Sequence, residues 1–391
     1  MTQGGSGPLA AGAHGSSFSF ARTTAVFVKE FQQMLRDRLT FAMAVLIPVL
    51  QLVLFGYAIN TDPKNLPAAI VAADDGPLTR ALVTAMQNTG YFRVVASGIG
   101  EAQADDLLAR GEAQFVIVVP PRFEHDLLRG QRPVLYVAVD ATDPTASATA
   151  LAALSGVTSQ ALAHDLVGPL RQLQGGAPPY EVRVHRRYNP EGLSRVNIVP
   201  GLIGTILTMT MVMLTSLAMT RERERGTMEN LLATPVRPLE VMVGKIAPYV
   251  VIGYVQLAVI LLVARALFKV PMVGSFPLLM TMIGIFILAS LAVGFTFSTL
   301  AKNQLQAVQM TFFFFLPSIL LSGFMFPFRG MPGWAQWIGE VLPLTHFLRI
   351  VRGIMLKGST LSDVLPDLWP MLGFMAAMGI VALMRYRKTL D

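Results

Sequence analysis

The sequence predicts an α-helical polytopic membrane protein with six transmembrane helices, an N-terminal interfacial helix, an outer re-entrant hairpin and an inserted α/β extracytoplasmic domain. Of its 391 residues, 53% are hydrophobic and 14% are charged, and the mean hydropathy is +0.54. Soluble domains carry about 25% charged residues, so most of this chain is expected to lie in lipid. The charged residues gather between apolar runs that are long enough to cross a bilayer.

The positive net charge does not indicate a nucleic-acid-binding protein. The net charge is +7 and the isoelectric point is near 9.8, but the basic residues flank apolar runs and are not interleaved with aromatic residues. The chain has no Cys, which excludes disulfides and thiolate metal sites, and its five His residues form no His-x-x-x-His pair. We therefore expect no catalytic residue, no metal site and no cofactor bound by this chain.

The N-terminal region leads to a first membrane span. Residues 1–19 are rich in Gly, Ala and Ser and lack the pattern of a cleaved signal, which predicts a disordered tail. In 20–38 apolar residues recur at helical spacing opposite Lys and Arg, as in a cytoplasmic interfacial helix. The first charge-free run is 39–61, in which Gln51 is a polar residue near mid-span.

Residues 62–195 have the composition of a water-soluble domain, with mixed charges and short β-branched runs. Strand patterns alternate with helical ones, which predicts an extracytoplasmic α/β domain of ordinary size. The predicted strands are 68–73, 91–95, 114–119, 134–139 and 181–187, and the predicted helices are 78–88, 102–110 and 145–173.

Four carboxylates follow predicted strands of this domain, where ligands often bind in α/β sheets. They are Asp74, Asp75, Asp140 and Asp143. No Ser, His or Cys nucleophile arrangement accompanies them, and Asp-Gly-Pro and Asp-Pro sequences are ordinary turns. We interpret them as structural.

The second span, 196–220, is charge-free and ends in a charged segment at 221–245. Residues 227–234 predict a two-turn helix that begins at Thr227 as N-cap, has one apolar side, and stops before Pro235. Such a helix is unstable alone in water, so it is expected to dock into a partner. A solvated loop with a run of charges is the alternative.

Three more apolar runs predict spans at 246–267, 278–301 and 305–326, and a last one at 367–385. The aromatic run 312–315 is more typical of a lipid-facing or packing surface than of a substrate site. The distribution of Lys and Arg beside the spans places both termini in the cytoplasm.

Residues 332–357 are too polar for a full span and predict a re-entrant or interfacial hairpin. Trp334 and Trp337 suit the head-group level, and Arg349 and Arg352 share one helix side. His346 is expected to have a hydrogen-bonded structural role.

The chain resembles the permease subunits of type-2 ATP-binding-cassette (ABC-2 type) exporters, in the subgroup with a large extracytoplasmic domain between the first two membrane helices. The most specific segments are 199–204 (VPGLIG), 223–235 (RERGTMENLLATP) and Gly244-Lys245. The resemblance makes the short helix after the second span a coupling helix that sits in a cleft of a partner ATPase. Asn230 departs from the bulky aliphatic residue or Gln usual there. The residues assigned to ATPase coupling are Arg225, Gly226, Thr227, Met228, Glu229, Leu231, Leu232, Thr234 and Pro235.

The resemblance implies export of a hydrophobic or amphipathic cargo (a drug, a lipid or a lipid-linked compound) across a bacterial inner membrane. The chain has no Gly-x-x-x-x-Gly-Lys-Ser/Thr loop, so ATP and Mg²⁺ are expected on separate ATPase subunits. A second permease subunit is a further expected partner, and a periplasmic adaptor is another. Segment 20–38 would help to contact the ATPase, although a membrane-surface anchor explains it equally well.

Two other functions stay open at this point. One is a membrane-anchored sensor or scaffold, whose outer domain binds a ligand without transport. The other is an ion-coupled carrier, which the lack of mid-span carboxylate pairs disfavours. Candidate residues lining an export pathway are Gln51, Met209, Met213 and Phe312.

Overall fold

The computed structural model describes residues 64–143, 147–148, 150–152, 154, 180–224 and 238–388. The predicted tail, interfacial helix and first span, all within 1–61, lie outside these residues. So do most of the predicted helix 145–173 and the segment 225–237.

The domain predicted to be extracytoplasmic, called the outer domain below, contains a five-stranded mixed sheet. Its strands are β1 (Leu66–Ala72), β2 (Phe92–Ser97), β3 (Phe115–Val119), β4 (Val134–Asp140) and β5 (Glu181–Arg187). Their order across the sheet is β2-β1-β3-β4-β5. β1 runs parallel to β2 and β3, β4 is antiparallel to β3, and β5 is parallel to β4.

Helices cover both faces of this sheet. They are α1 (Pro77–Asn88), α2 (Glu101–Ala109) and α3 (Phe123–Leu128). Leu82 of α1 and Phe123 of α3 are buried in one core, whereas Leu108 of α2 is buried in another. Alternate residues of each central strand supply the two cores, as expected for a sheet that is covered on both sides. The sequence did not predict α3, whose six residues are too few for a periodic signal.

Five helices are long and apolar enough to cross a membrane, judged by length and composition among the described residues. They are α4 (Ser194–Glu224), α5 (Pro238–Ala266), α6 (Phe276–Leu300), α7 (Gln304–Leu321) and α10 (Leu361–Lys388). The apolar windows of α4 and α6 are 61% and 67% buried, whereas those of α5 and α10 are 17% buried. α4 and α6 therefore form the centre of the helical region.

Several helix bounds differ from the sequence prediction. α7 ends at Leu321 and not at residue 326, because the chain turns at Gly323, whose φ of +84° favours glycine. α10 begins at Leu361 and not at residue 367, since Asp363 accepts the Thr360 backbone N–H at 2.8 Å and so stabilises an earlier start. α4 and α5 extend into the predicted loop 221–245.

The segment predicted as a hairpin contains two short helices, α8 (Gly333–Val341) and α9 (Pro343–Arg352). A 3-10 turn, Phe328–Gly330, precedes them and a π-helical turn, Gly353–Lys357, follows them. α9 is mostly buried, whereas α8 exposes Trp334 and Trp337. Phe347 of α9 stacks on Phe286 of α6, with ring centroids 4.0 Å apart, so this segment packs on the central helices.

Candidate functional site

The predicted coupling residues, from Arg225 to Pro235, lie outside the described residues, but the structure places the helix ends beside them. α4 ends at Glu224 and α5 begins at Pro238. The Glu224 carboxylate accepts hydrogen bonds from the Gln304 backbone N–H, at 2.8 Å, and from the Gln304 side-chain amide. These two bonds lower the pKa of Glu224. The C-terminal end of α4 is therefore joined to the start of α7.

The predicted pathway residues on α4 lie near its contact with α7. The Ser216 and Thr311 hydroxyl oxygens are buried and 3.2 Å apart. Helical geometry puts Met209 and Met213 on the same side of α4 as Ser216. Both methionines are partly exposed.

The other two predicted pathway residues are Phe312 and Gln51. Phe312 of α7 is 44% exposed. Gln51 lies outside the described residues. A lining role for all four residues stays a prediction.

Glycines allow α4 to pack closely against its neighbours. A Cβ at Gly294 of α6 would lie 2.6 Å from the Val212 carbonyl oxygen, and one at Gly204 would lie 2.7 Å from Leu344 of α9. Glycine, which has no side chain, permits the neighbouring helices to approach this closely. α4 is thus held firmly between α6 and α9.

The outer domain is joined to the segment after α9 by an ion pair. The Lys357 ammonium contacts one oxygen of the Asp140 carboxylate, and each side chain is 10% exposed. The other Asp140 oxygen accepts hydrogen bonds from the backbone N–H and the hydroxyl of Thr142, at 3.0 and 2.7 Å. Asp140 therefore has a structural role, as predicted, together with a long-range partner that its sequence context did not reveal.

Two further contacts reinforce this junction. Arg329 donates to the Gly111 carbonyl oxygen at 2.9 Å. Lys357 also lies 5.3 Å from the ring centroid of Tyr188, within the range of a cation–π interaction. The outer domain thus contacts this segment through backbone groups, an aromatic ring and a carboxylate.

A second polar cluster ties α8 and α9 to α10. The Nδ1 atom of His346 lies 2.8 Å from Asp367 Oδ1, and its Nε2 atom lies 2.8 Å from the Glu340 carbonyl oxygen. Arg349 bridges the Glu340 and Asp367 carboxylates, at 2.5 and 3.2 Å. His346 is 3% exposed, so its predicted hydrogen-bonded role agrees with its surroundings.

Both ring nitrogens of His346 face acceptors. A carbonyl oxygen and a carboxylate only accept hydrogen bonds, so the geometry favours the doubly protonated ring. Burial alone would lower the pKa of His346, but its bonds to Asp367 and to the Glu340 carbonyl outweigh burial and raise it.

The sequence held only partial signals for these clusters. The shared helix side of Arg349 and Arg352 was predicted, and both side chains line cavities at the outer junction. The Lys357–Asp140 pair was missed because 217 residues separate its members. Among the described residues no group of three or more His, Asp or Glu side chains is arranged to hold a metal ion.

Comparison with known proteins gives concordant results. The family described as "ABC-2 family transporter protein" matches residues 38–384. The Escherichia coli protein named "Probable multidrug ABC transporter permease YbhS" is 29% identical, over 87% of this chain and 90% of its own length. A second Escherichia coli protein, "Probable multidrug ABC transporter permease YbhR", is 28% identical over 94% of this chain and 99% of its own length.

A third relative is also named as a permease and also aligns over most of its length. The Escherichia coli protein named "Inner membrane transport permease YhhJ" is 28% identical, over 93% of this chain and 96% of its own length. All three alignments include the outer domain and the helical region together. With the family match covering more than half of its residues, the chain belongs to the ABC-2 family of transporter proteins.

Proposed function

We propose that this chain is the membrane permease subunit of an ABC-type exporter and couples ATP hydrolysis by a separate ATPase subunit to efflux of a hydrophobic or amphipathic compound. The observation that carries the proposal is α4, one continuous helix that links the outer domain to the predicted coupling segment. Its 31 residues span about 46 Å at 1.5 Å per residue. The segment 225–235 follows α4 directly, so a displacement of this segment by the ATPase would move the C-terminal end of the helix.

Both ends of α4 are attached to other elements. At the inner end Glu224 is bonded to Gln304 of α7. At the outer end, the Asn189 side chain accepts from the Leu193 backbone N–H at 3.0 Å and donates to the Leu193 carbonyl at 3.1 Å, just before the helix begins. β5 leads into α4 through this turn. A displacement of α4 would therefore move α7 and the outer domain with it.

The family match and this arrangement support the remaining parts of the proposal. Two permeases pair around a pathway, and two ATPase subunits bind their coupling helices. The exposed faces of α5 and α10 meet lipid or the second permease. The outer domain caps the exit and meets any periplasmic adaptor. The chain lies in a bacterial inner membrane with both termini in the cytoplasm.

The test uses the permease co-expressed with its neighbouring ATPase and reconstituted in liposomes. ATP-driven movement of a fluorescent hydrophobic dye and ATP hydrolysis are measured together. Glu229→Arg and Leu232→Asp are expected to abolish dye transport, because they reverse a charge and polarise the apolar side of the coupling helix. Glu191→Arg, an identical change at an exposed turn of the outer region, is the matched control.

The outcome separates the competing functions. Transport that both coupling variants leave unaltered would reject the assignment of 227–234. Failure of any ATP-hydrolysing subunit to co-purify would favour a sensor or scaffold. Retained ATPase association with lost transport in the two variants, and normal transport in the control, would support the exporter.

A further inference from the structure

A cavity of about 990 Å³ lies where the outer domain meets α8 and α10. Its walls come from the turn after α2, from the loop and 3-10 turn before α8, and from the start of α10. Two smaller cavities, of about 150 and 210 Å³, share Gly111, Arg329 and Arg349 with it. The three cavities are therefore all lined by Arg329 and Arg349.

The walls of the largest cavity carry an excess of positive charge. Five cationic side chains line it, against three carboxylates, and His346 adds a further cation when protonated. The cations are Lys64, Arg93, Arg110, Arg329 and Arg349, and the carboxylates are Glu112, Glu340 and Asp367. Glu340 and Asp367 are already bonded to Arg349 and His346, so they do little to neutralise the other arginines.

Arg329 lines all three cavities and takes no part in these ion pairs. Its guanidinium donates to the Gly111 carbonyl oxygen, and no carboxylate of the described residues lies within ion-pair distance of it. Desolvation of its guanidinium group and the positive charges of Arg349 and Arg93 lower its pKa, although Asp140 and Glu340 oppose this and the residue as a whole is exposed. The guanidinium still ionises at neutral pH, so its surroundings favour an added negative charge.

Arg352 offers two more donors. Its Nη1 donates to the Gly323 carbonyl oxygen at 3.2 Å. Its Nε and its other terminal nitrogen are enclosed and have no acceptor among the described residues. Both smaller cavities are lined by this side chain. Enclosed guanidinium donors without an acceptor are costly, and a phosphate or carboxylate oxygen satisfies them well.

The position of the cavity indicates which anions reach it. Trp334 and Trp337 on α8 and Trp369 on α10 are 43%, 80% and 67% exposed, as in aromatic residues at the head-group level of a membrane. Gln336 and Pro370, which neighbour Trp337 and Trp369, line the cavity. The cavity therefore lies at the level where acidic head groups are found.

We propose that these three adjoining cavities form an anion-binding site for the phosphate or carboxylate group of an amphiphile in the outer leaflet, held by Arg329, which lines all three, and by Arg352, which lines the two smaller ones. Apolar wall residues, among them Phe328, Met331 and Pro366, face the less polar part of the ligand. Binding at this site requires neither ATP nor a partner subunit. Placement in the outer leaflet rests on the topology of the proposed function, whereas the binding itself does not depend on transport.

The test measures binding by the full-length chain in detergent. The probes are fluorescent short-chain phosphatidylglycerol, its phosphatidylcholine counterpart and inorganic phosphate as a competitor. Anisotropy is expected to show tighter binding of phosphatidylglycerol, and Arg329→Gln to weaken it about tenfold, since a charged pair is lost. Arg352→Gln should act in the same direction. Arg265→Gln, an exposed arginine at the end of α5 that lines none of the three cavities, is the matched control.

Each result bears on the proposal. Equal binding of the two lipids, or a loss in Arg265→Gln as large as in Arg329→Gln, would overturn it. If millimolar phosphate competes with the lipid, the head group alone is recognised. If phosphate does not compete and the lipid still binds tightly, the acyl tail is required as well. Phosphate binding that depends on Arg329, without lipid binding, would overturn the amphiphile as ligand. Arg329 is exposed, so its variant stays informative if Arg352→Gln fails to fold.

Discussion

Lys357 and Asp140 form an ion pair that joins the outer domain to the turn after α9, although 217 residues separate them. Both side chains are 10% exposed, and the Asp140 carboxylate has its second oxygen occupied by Thr142. Removing one member of a buried pair leaves the other charge without compensation. The pair therefore opposes separation of the two parts of the protein.

Lys357→Met is predicted to lower the free energy of unfolding by about 3–5 kcal/mol, the range for a broken buried pair. Thermal unfolding of the purified protein checks this. A double-mutant cycle with Asp140→Asn should give a coupling energy of about 1–3 kcal/mol. Arg183→Met, which breaks the exposed pair with Glu181, should leave stability unchanged. Additive effects in the cycle would contradict a direct pairing.

The His346 cluster predicts that stability depends on pH. The pKa of His346 is raised above its ordinary value of 6.5, so its contribution is complete below that value and is lost as pH rises through the folded pKa. The facing groups are Asp367 on α10, Glu340 on α8 and Arg349 on α9.

We expect the unfolding temperature to fall between pH 6 and pH 8.5 in the wild type and to fall less in His346→Gln. Scanning calorimetry across this range measures the difference. Identical slopes in His346→Gln and the wild type would show that this ring does not titrate as predicted.

The contact between α4 and α7 can be tested with cysteines, because the chain has none of its own. The Ser216 and Thr311 hydroxyl oxygens are 3.2 Å apart, so Ser216→Cys with Thr311→Cys should form a disulfide under copper phenanthroline. Mass spectrometry of a digest detects the link. The matched pair Ser216→Cys with Phe312→Cys should link poorly, since neighbouring helical residues point in different directions.

The close packing of α4 on α6 predicts the effect of enlarging one glycine. A Cβ at Gly294 would lie 2.6 Å from the Val212 carbonyl oxygen, so Gly294→Val should cost about 1–3 kcal/mol through overpacking. Thermal unfolding is the measurement. A Cβ at Gly373 of α10 would meet no atom within 4 Å, so Gly373→Val should be tolerated. Equal losses of stability in the two variants would show that replacing a helical glycine, and not the contact with Val212, causes the destabilisation.

Local patterns were enough to predict much of the architecture. Strands β1 to β5 appear within two residues of their predicted positions, because β-branched runs bounded by Gly, Pro and Asp are a local property of the chain. The membrane character follows from composition and from the length of the apolar runs. Five of the predicted spans correspond to long helices in the described part, and the family resemblance is confirmed by the match to residues 38–384.

Other features of the structure depend on long-range contacts and could not be predicted from local sequence patterns. The order β2-β1-β3-β4-β5, the central position of α4 and α6, and the pairing of Asp140 with Lys357 all join segments that are distant in the chain. No local pattern marks Arg329 or Arg352 as different from other arginines. They differ from other arginines in their surroundings, because tertiary packing determines whether the donors of a guanidinium group have acceptors. The sequence alone thus determined that the chain has several membrane-spanning helices and an α/β domain, whereas tertiary packing decided where its charges meet.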